Sequence, residues 1–244
     1  MTAAIVGKIV EHLPGDARVV DVGGGASPCP RADVVIDAVA YRDRGKLGVA
    51  ATGQAQRYDE STWIQVDLCG RERWPIPDKS FDYAICSHVL EDLRDPIRVC
   101  TELQRIAKAG YIGTPSRILE QSRGIEHPLY AGYYHYRWLV SVEDGCLCFR
   151  FKPHSLHSIR AAIVADIGVT RKLNPEYVSL DFEWSGGFEC REVLEFEESA
   201  VNAELCRFAE NARRLPDLTV PSADPLARKL KKGVYYWRLR RGLA

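Results

Sequence analysis

The chain has 244 residues, 46% apolar and 27% charged, with 33 basic side chains balanced by 33 acidic ones. These values exclude wholesale disorder and fit one large α/β domain, or a domain of common size with added elements. No apolar run approaches the roughly 18 residues that cross a bilayer, and the opening MTAAIVGKIVEHLPGD has no basic head. Secretion and membrane spanning are therefore not expected, and the cytoplasm is the expected compartment. Residues 228–244 hold seven basic residues and no acid, so the remainder, with 26 basic against 33 acidic, is net −7. An acidic body with a basic tail is a poor nucleic-acid footprint, because tracking phosphates needs positive charge along the working groove.

Apolar spacing at Ile5, Val6, Ile9, Val10 and Leu13 predicts a leading helix over 3–13, closed by Pro14-Gly15. Residues 18–22 read as a buried strand running into Gly23-Gly24-Gly25, and 33–36 as a second strand ending at Asp37. The polar, glycine-containing stretch 41–61 reads as a surface loop with at most a helical turn. Third and fourth strands follow at 63–66, ending at Asp67, and 81–86, entered through Pro75-Ile-Pro77-Asp78. A helix is expected over 96–108, capped by Asp95 before Pro96 and stopped by Gly110, and then a fifth strand at 111–114. Strands alternating with crossovers make the first 115 residues a Rossmann-like, doubly wound and mostly parallel sheet.

Beyond 115 the alternation changes. Residues 137–142 and 146–151 flank Glu143-Asp144-Gly145, a hairpin signal. A second hairpin is expected from 178–184 and 188–193 around Ser185-Gly186-Gly187, with a helix over 197–213. The expected organisation is a single domain over 1–244: a cofactor-binding core at 1–115, acceptor-side elements at 116–215 and a basic tail at 216–244. None of the eight cysteines forms a CxxC pair, so they read as reduced thiols acting as small hydrophobes.

Glycines after a first strand let a ligand approach the backbone, and an acid ending the second strand can take both ribose hydroxyls. That logic serves several nucleotide cofactors. The linked series is more specific: Asp21-Val-Gly-Gly-Gly25, Asp37, Gln65-Val-Asp67-Leu68, Trp74-Pro-Ile-Pro-Asp-Lys-Ser-Phe81-Asp82, His88-Val-Leu-Glu91-Asp92-Leu93 and Asp95-Pro96. In order and spacing it resembles the class I methyltransferases over residues 16–115. The resemblance implies S-adenosylmethionine as cofactor. It implies Asp21, Gly23, Gly24 and Gly25 in the loop beneath the methionine part, Asp37 on the ribose, Asp67 and Leu68 on the adenine, and Ser87 and His88 beside the cofactor. A dinucleotide is disfavoured, since Gly-x-Gly-x-x-Gly begun at Gly23 would need glycine where Pro28 stands. Two departures stand out: only eight residues separate Gly25 from Val34, short for a helical crossover, so a loop or single turn is expected; and Asp92 stands where the family often has histidine.

Transfer from a sulfonium needs no metal in principle, but a hydroxyl acceptor benefits from a base near neutrality, and histidine suits that task. Residues 126–138 hold two histidines, four tyrosines and a tryptophan. His135 or His127 is the expected base. Tyr130, Tyr133, Tyr134, Tyr136 and Trp138 are the expected wall for a small-molecule or saccharide acceptor. The rival assignment for these side chains is packing, which is also the expectation for His154 and His157. In the tail, Leu226, Leu230, Val234 and Trp237 recur near helical spacing among basic residues. Such a helix over 226–241 could lie on an anionic membrane surface, pack on its own domain or join a homodimer. The overall expectation is an O-methyltransferase; the alternatives are an N- or C-methyltransferase and a cofactor-binding protein without transfer.

Overall fold

The computed structural model describes residues 2–25, 27–47, 55–127, 129–164, 167 and 171–221. The expected tail helix over 226–241 lies outside the described residues. Helix α1 (Thr2–Glu11) leads into β1 (Val19–Val22) and β2 (Val34–Asp37), both buried along their whole length. Such unbroken burial is the mark of central parallel strands covered on both faces. No helix stands between them: the described residues 27–33 are loop and turn. Instead Val6 of α1 joins Val19, Cys29, Tyr83, Ile85 and Tyr111 in one core cluster.

Residues Tyr41–Leu47 form a 3-10 turn, and β3 (Trp63–Gln65) follows a second 3-10 turn capped by Asp59. Next come β4 (Phe81–Ser87) and α2 (Pro96–Ile106). Asp95 caps α2 by accepting from Arg98 N at 2.9 Å, with Pro96 in the first turn, as expected of that pair. The helix ends earlier than expected: β5 (Ala107–Pro115) starts directly after Ile106, so Gly110 lies within a strand and does not stop the helix. The reason is steric. A side chain at Gly110 would sit 2.5 Å from the Ala84 carbonyl oxygen and 2.8 Å from the Trp184 ring, so glycine here serves close packing.

After α3 (Arg117–Glu120), strands β6 (Trp138–Glu143) and β7 (Cys146–Phe151) are joined by Asp144 and Gly145 alone, at φ 48° and 80°. Both are left-handed, which suits the Asp-Gly pair of a primed two-residue turn. The remaining elements are β8 (Arg171–Leu173), β9 (Ser179–Ser185), β10 (Cys190–Val193), α4 (Glu198–Ala212) and β11 (Thr219–Pro221). The second expected hairpin does not form. β9 joins the edge of the main sheet beside β5, and β10 pairs in parallel with β7 in another sheet, leaving only a Ser185–Gly187 bridge at the turn. Alternation marks both segments as strands; it does not name their partners. Trp184, buried over Gly110, and Tyr111, whose hydroxyl donates to Asp181 at 2.5 Å, tie β9 to the main sheet.

The main sheet runs β3-β2-β1-β4-β5-β9, with β1–β2, β2–β3, β1–β4 and β4–β5 parallel. This is the expected Rossmann-like, mostly parallel sheet. The chain divides into two compact units: unit 1 comprises Met1–Thr114, Val140–Arg150 and Leu180–Val193, and unit 2 the rest. All eight cysteines are free thiols, and five are buried. Among the described residues no helix is long and apolar enough to cross a membrane.

Candidate functional site

In unit 1 the strand order reverses beside β1: β2 and β3 lie to one side, β4 and β5 to the other. Connections leaving the carboxyl ends of β1 and β4 diverge there and open a crevice, the usual ligand position in such sheets. Gly23, at φ 74°, leaves β1 and donates to the Ile36 carbonyl at 2.8 Å. A side chain on it would lie 2.5 Å from a Val89 methyl, and one on Gly24 would lie 2.7 Å from the Pro28 ring. Gly25, at φ 57°, donates its N–H to Asp37 Oδ2 at 2.9 Å, while Val39 N donates to Asp37 Oδ1 at 2.8 Å. The acid ending β2 thus holds the glycine turn, and both of its oxygens rest on neutral amides.

Asp21, inside β1, is 4% exposed and accepts from Cys29 N at 2.6 Å. Burial pushes its carboxyl up to about 7; the Cys29 amide opposes this and the Asp37 charge adds to it. A cavity of about 510 Å³ opens here, with apolar walls from Val6, Val10, Pro28 and Ile85, and with Asp21, Gly24, Ser87 and His88 on its polar side. Its size is that of a small-molecule site. Missing crossover helix and cavity go together, because α1 and the 27–31 loop line the space. Asp67 is exposed and accepts from Cys69 N at 3.0 Å, and Leu68 is buried; they follow β3 on the same sheet edge without lining the cavity.

Within this edge, sequence reasoning quoted Glu91 without assigning it a role. The side chain is 1% exposed, and neither carboxylate oxygen has a hydrogen-bond partner among the described residues. His88 lies beside it, with Nδ1 3.4 Å from Oε1. The His-x-x-Glu spacing was visible in the chain, but not that the carboxylate would be buried.

The aromatic cluster belongs to unit 2. Tyr130, Tyr133, Tyr134 and Tyr136 line a recess of about 360 Å³ together with Lys152, His154 and His157. His127 and His135 do not line it. His127 stacks on Tyr130 with ring centres 4.4 Å apart, and its Nδ1 accepts from Leu129 N at 3.1 Å. That bond puts the ring proton on Nε2, which disfavours His127 as a base. Burial also lowers its pKa. His135 is exposed and packs edge-on against Tyr136 at 4.3 Å. Trp138 is buried against Phe151. Lys152, which the sequence reading passed over, lies 2.6 Å from Glu120 Oε2, and both are buried. His157 Nδ1 accepts from Ala131 N at 3.1 Å, and its pKa is lowered by burial and by the nearby Lys152 charge.

A glycine turn and a strand-terminal acid at the switch point of a parallel sheet are the arrangement in which open α/β sheets hold nucleotide cofactors. Residues 21–112 match the model of a family described as a methyltransferase domain. Solved structures with partial likeness include an S-adenosylmethionine-dependent methyltransferase from Mesorhizobium loti, at 18% identity over 60% of this chain and 62% of that one, TM-score 0.33. Another is the arsenic(III) S-adenosylmethionine methyltransferase from Chlamydomonas reinhardtii, at 23% over 43% and 41%, TM-score 0.27. A third is the YcgJ protein from Bacillus subtilis, at 17% over 47% and 51%, TM-score 0.33. The chain spans about half the length of the first structures it matches. No curated protein matches. Residues 21–112 thus carry the pattern of a methyltransferase domain, the resemblance that implies S-adenosylmethionine as cofactor.

The residues present fit that cofactor. Gly23 and Gly24 have no room for side chains, and among the described residues the buried carboxylates of Asp21 and Asp37 accept from backbone amides, which suits a ligand with ribose hydroxyls and positive charge.

Proposed function

We propose that this chain is an S-adenosylmethionine-dependent methyltransferase that O-methylates a hydroxyl on a small-molecule or saccharide acceptor. The observation that carries the reading is the switch-point cradle: a glycine turn held by Asp37 beside a cavity that Asp21, Ser87 and His88 line. S-adenosylmethionine supplies a methyl group on a sulfonium, a good leaving group, so the protein's work is positioning and removal of the acceptor's proton. Asp37 is assigned to the ribose, Asp67 and Leu68 to the adenine, and Asp21, the three glycines, Ser87 and His88 to the methionine end.

Tyr130, Tyr133, Tyr134 and Tyr136 are assigned to the acceptor. Their faces suit the C–H surface of a sugar ring or a flat phenol. Trp138, buried against Phe151, is assigned to supporting that segment. A histidine takes the hydroxyl proton; the tautomer of His127 disfavours it as that base.

Calorimetric titration with S-adenosylmethionine and S-adenosylhomocysteine tests the reading. Micromolar binding that Asp37→Ala weakens is the expected result; no binding at millimolar ligand sinks it. A screen of hydroxyl, amine and activated-carbon acceptors then separates O-methylation from N- or C-methylation.

A further inference from the structure

Glu91 presents a physical problem. A carboxylate that is 1% exposed, with no hydrogen bond to either oxygen among the described residues, carries a desolvation cost. The group placed to answer it is His88, with Nδ1 at 3.4 Å from Oε1, on a segment that also lines the cavity at the cofactor strands. Its backbone is held there at some expense. His88 sits at φ 56°, in the left-handed region, and its N–H donates to the Gly113 carbonyl at 2.8 Å. The next residue, Val89, packs onto Gly23 so closely that a side chain there would collide with it. The strained histidine, the glycine turn and the buried acid are thus fixed to one another within unit 1.

We propose that His88 is the general base of the transfer and that Glu91 is its positioning residue; this rests on the O-methylation reading above. A carboxylate facing Nδ1 favours the tautomer with the proton on that nitrogen, which makes Nε2 the basic one. The acceptor hydroxyl gives its proton to Nε2 as its oxygen gains the methyl group; the O–H bond is replaced by O–CH3, and sulfur keeps the pair of the broken S–C bond. The imidazolium so formed faces the buried Glu91 carboxylate, which stabilises it, and the proton then leaves to water. His127 lacks this arrangement: its Nδ1 is an acceptor toward Leu129 N, so its ring proton is on Nε2.

The test uses full-length wild type, Glu91→Gln and His88→Gln. Nitrogen-15 NMR of the imidazoles, with His88 assigned by the signal missing from His88→Gln, reads the tautomer without any acceptor. The Nδ1–H form is expected in wild type and a loss of that preference in Glu91→Gln. An Nε2–H tautomer in wild type, or one that ignores Glu91→Gln, overturns the proposal. Turnover is read as S-adenosylhomocysteine formed with methyl glucoside and guaiacol as probes. About a 100-fold fall in kcat is expected for His88→Gln and about 10-fold for Glu91→Gln, with the S-adenosylhomocysteine affinity of Glu91→Gln within about threefold of wild type. Wild-type turnover in His88→Gln also overturns the proposal. Failure of wild type to bind S-adenosylhomocysteine overturns the methyltransferase reading instead, and the tautomer result then stands by itself.

Discussion

Glu120 in unit 2 and Glu91 in unit 1 are each 1% exposed, yet their surroundings differ in kind. Glu120 meets Lys152 Nζ at 2.6 Å and accepts from Tyr133 N, and nearby Arg117 grips Glu204 through two bonds of 2.7 and 2.6 Å. At the carboxyl edge of the main sheet, and among the described residues, Asp21 and Asp37 accept from backbone amides and neither oxygen of Glu91 has a hydrogen-bond partner. Unit 1 is able to pair buried acids: Glu102 on α2 is 2% exposed and held by Arg98 and Arg105. Acids that serve packing are therefore neutralised by the chain's own cations. Those at the sheet edge have no such cation bonded to them among the described residues, the pattern expected if they serve a ligand or hold a proton.

The largest effect expected from this contrast is in unit 2. Glu120→Ala leaves Lys152 buried without its counter-charge and should cost about 3–5 kcal/mol in chemical denaturation. Replacing both partners, with Glu120→Leu and Lys152→Met, should recover most of that loss; if it does not, the pair does more than neutralise charge.

The second effect is in binding. Asp37→Ala removes the acceptor for Gly25 N and the assigned ribose ligand, so S-adenosylhomocysteine affinity should fall about 10- to 100-fold by calorimetry. Unchanged affinity would mean that the edge acid is structural after all.

Next comes a pH effect of definite sign. The Asp21 carboxyl, near 3.8 in the unfolded chain, is pushed up to about 7 in the fold, chiefly by burial. The folded protein keeps a proton that the unfolded chain releases, so stability falls as pH climbs from about 4 to about 7. Asp21→Asn keeps an oxygen for Cys29 N and removes the ionisation. It should therefore stabilise the protein by up to about 4 kcal/mol at pH 8 and change little at pH 4. A gain that does not vary with pH would point to packing instead.

The smallest effect on stability belongs to Tyr134, which is 84% exposed in the unit 2 recess. Tyr134→Ala should move stability by less than about 0.5 kcal/mol. If the tyrosines bind the acceptor, KM for an active acceptor rises while S-adenosylhomocysteine affinity does not.

Chain order and local chemistry determined much of this protein. The run at 19–22, apolar but for Asp21, the apolar run at 34–36, glycines at 23–25, Asp37, and the Asp95-Pro96 cap each act over a few residues, so the parallel core and its glycine edge were legible without coordinates. The Asp144-Gly145 turn was legible for the same reason: two left-handed residues in a row leave few other choices. Tertiary packing decided the rest. Gly110 reads equally as a helix stop or a strand glycine until the Ala84 carbonyl and the Trp184 ring are set beside it. Two alternating segments looked like a hairpin because alternation fixes faces and leaves partners open, and β9 and β10 went to different sheets. Burial of Glu91, the pairing of Lys152 with Glu120 and the raised carboxyl of Asp21 depend on what surrounds each charge on every side. Electrostatics of that kind is a property of the folded volume, and a linear pattern does not carry it.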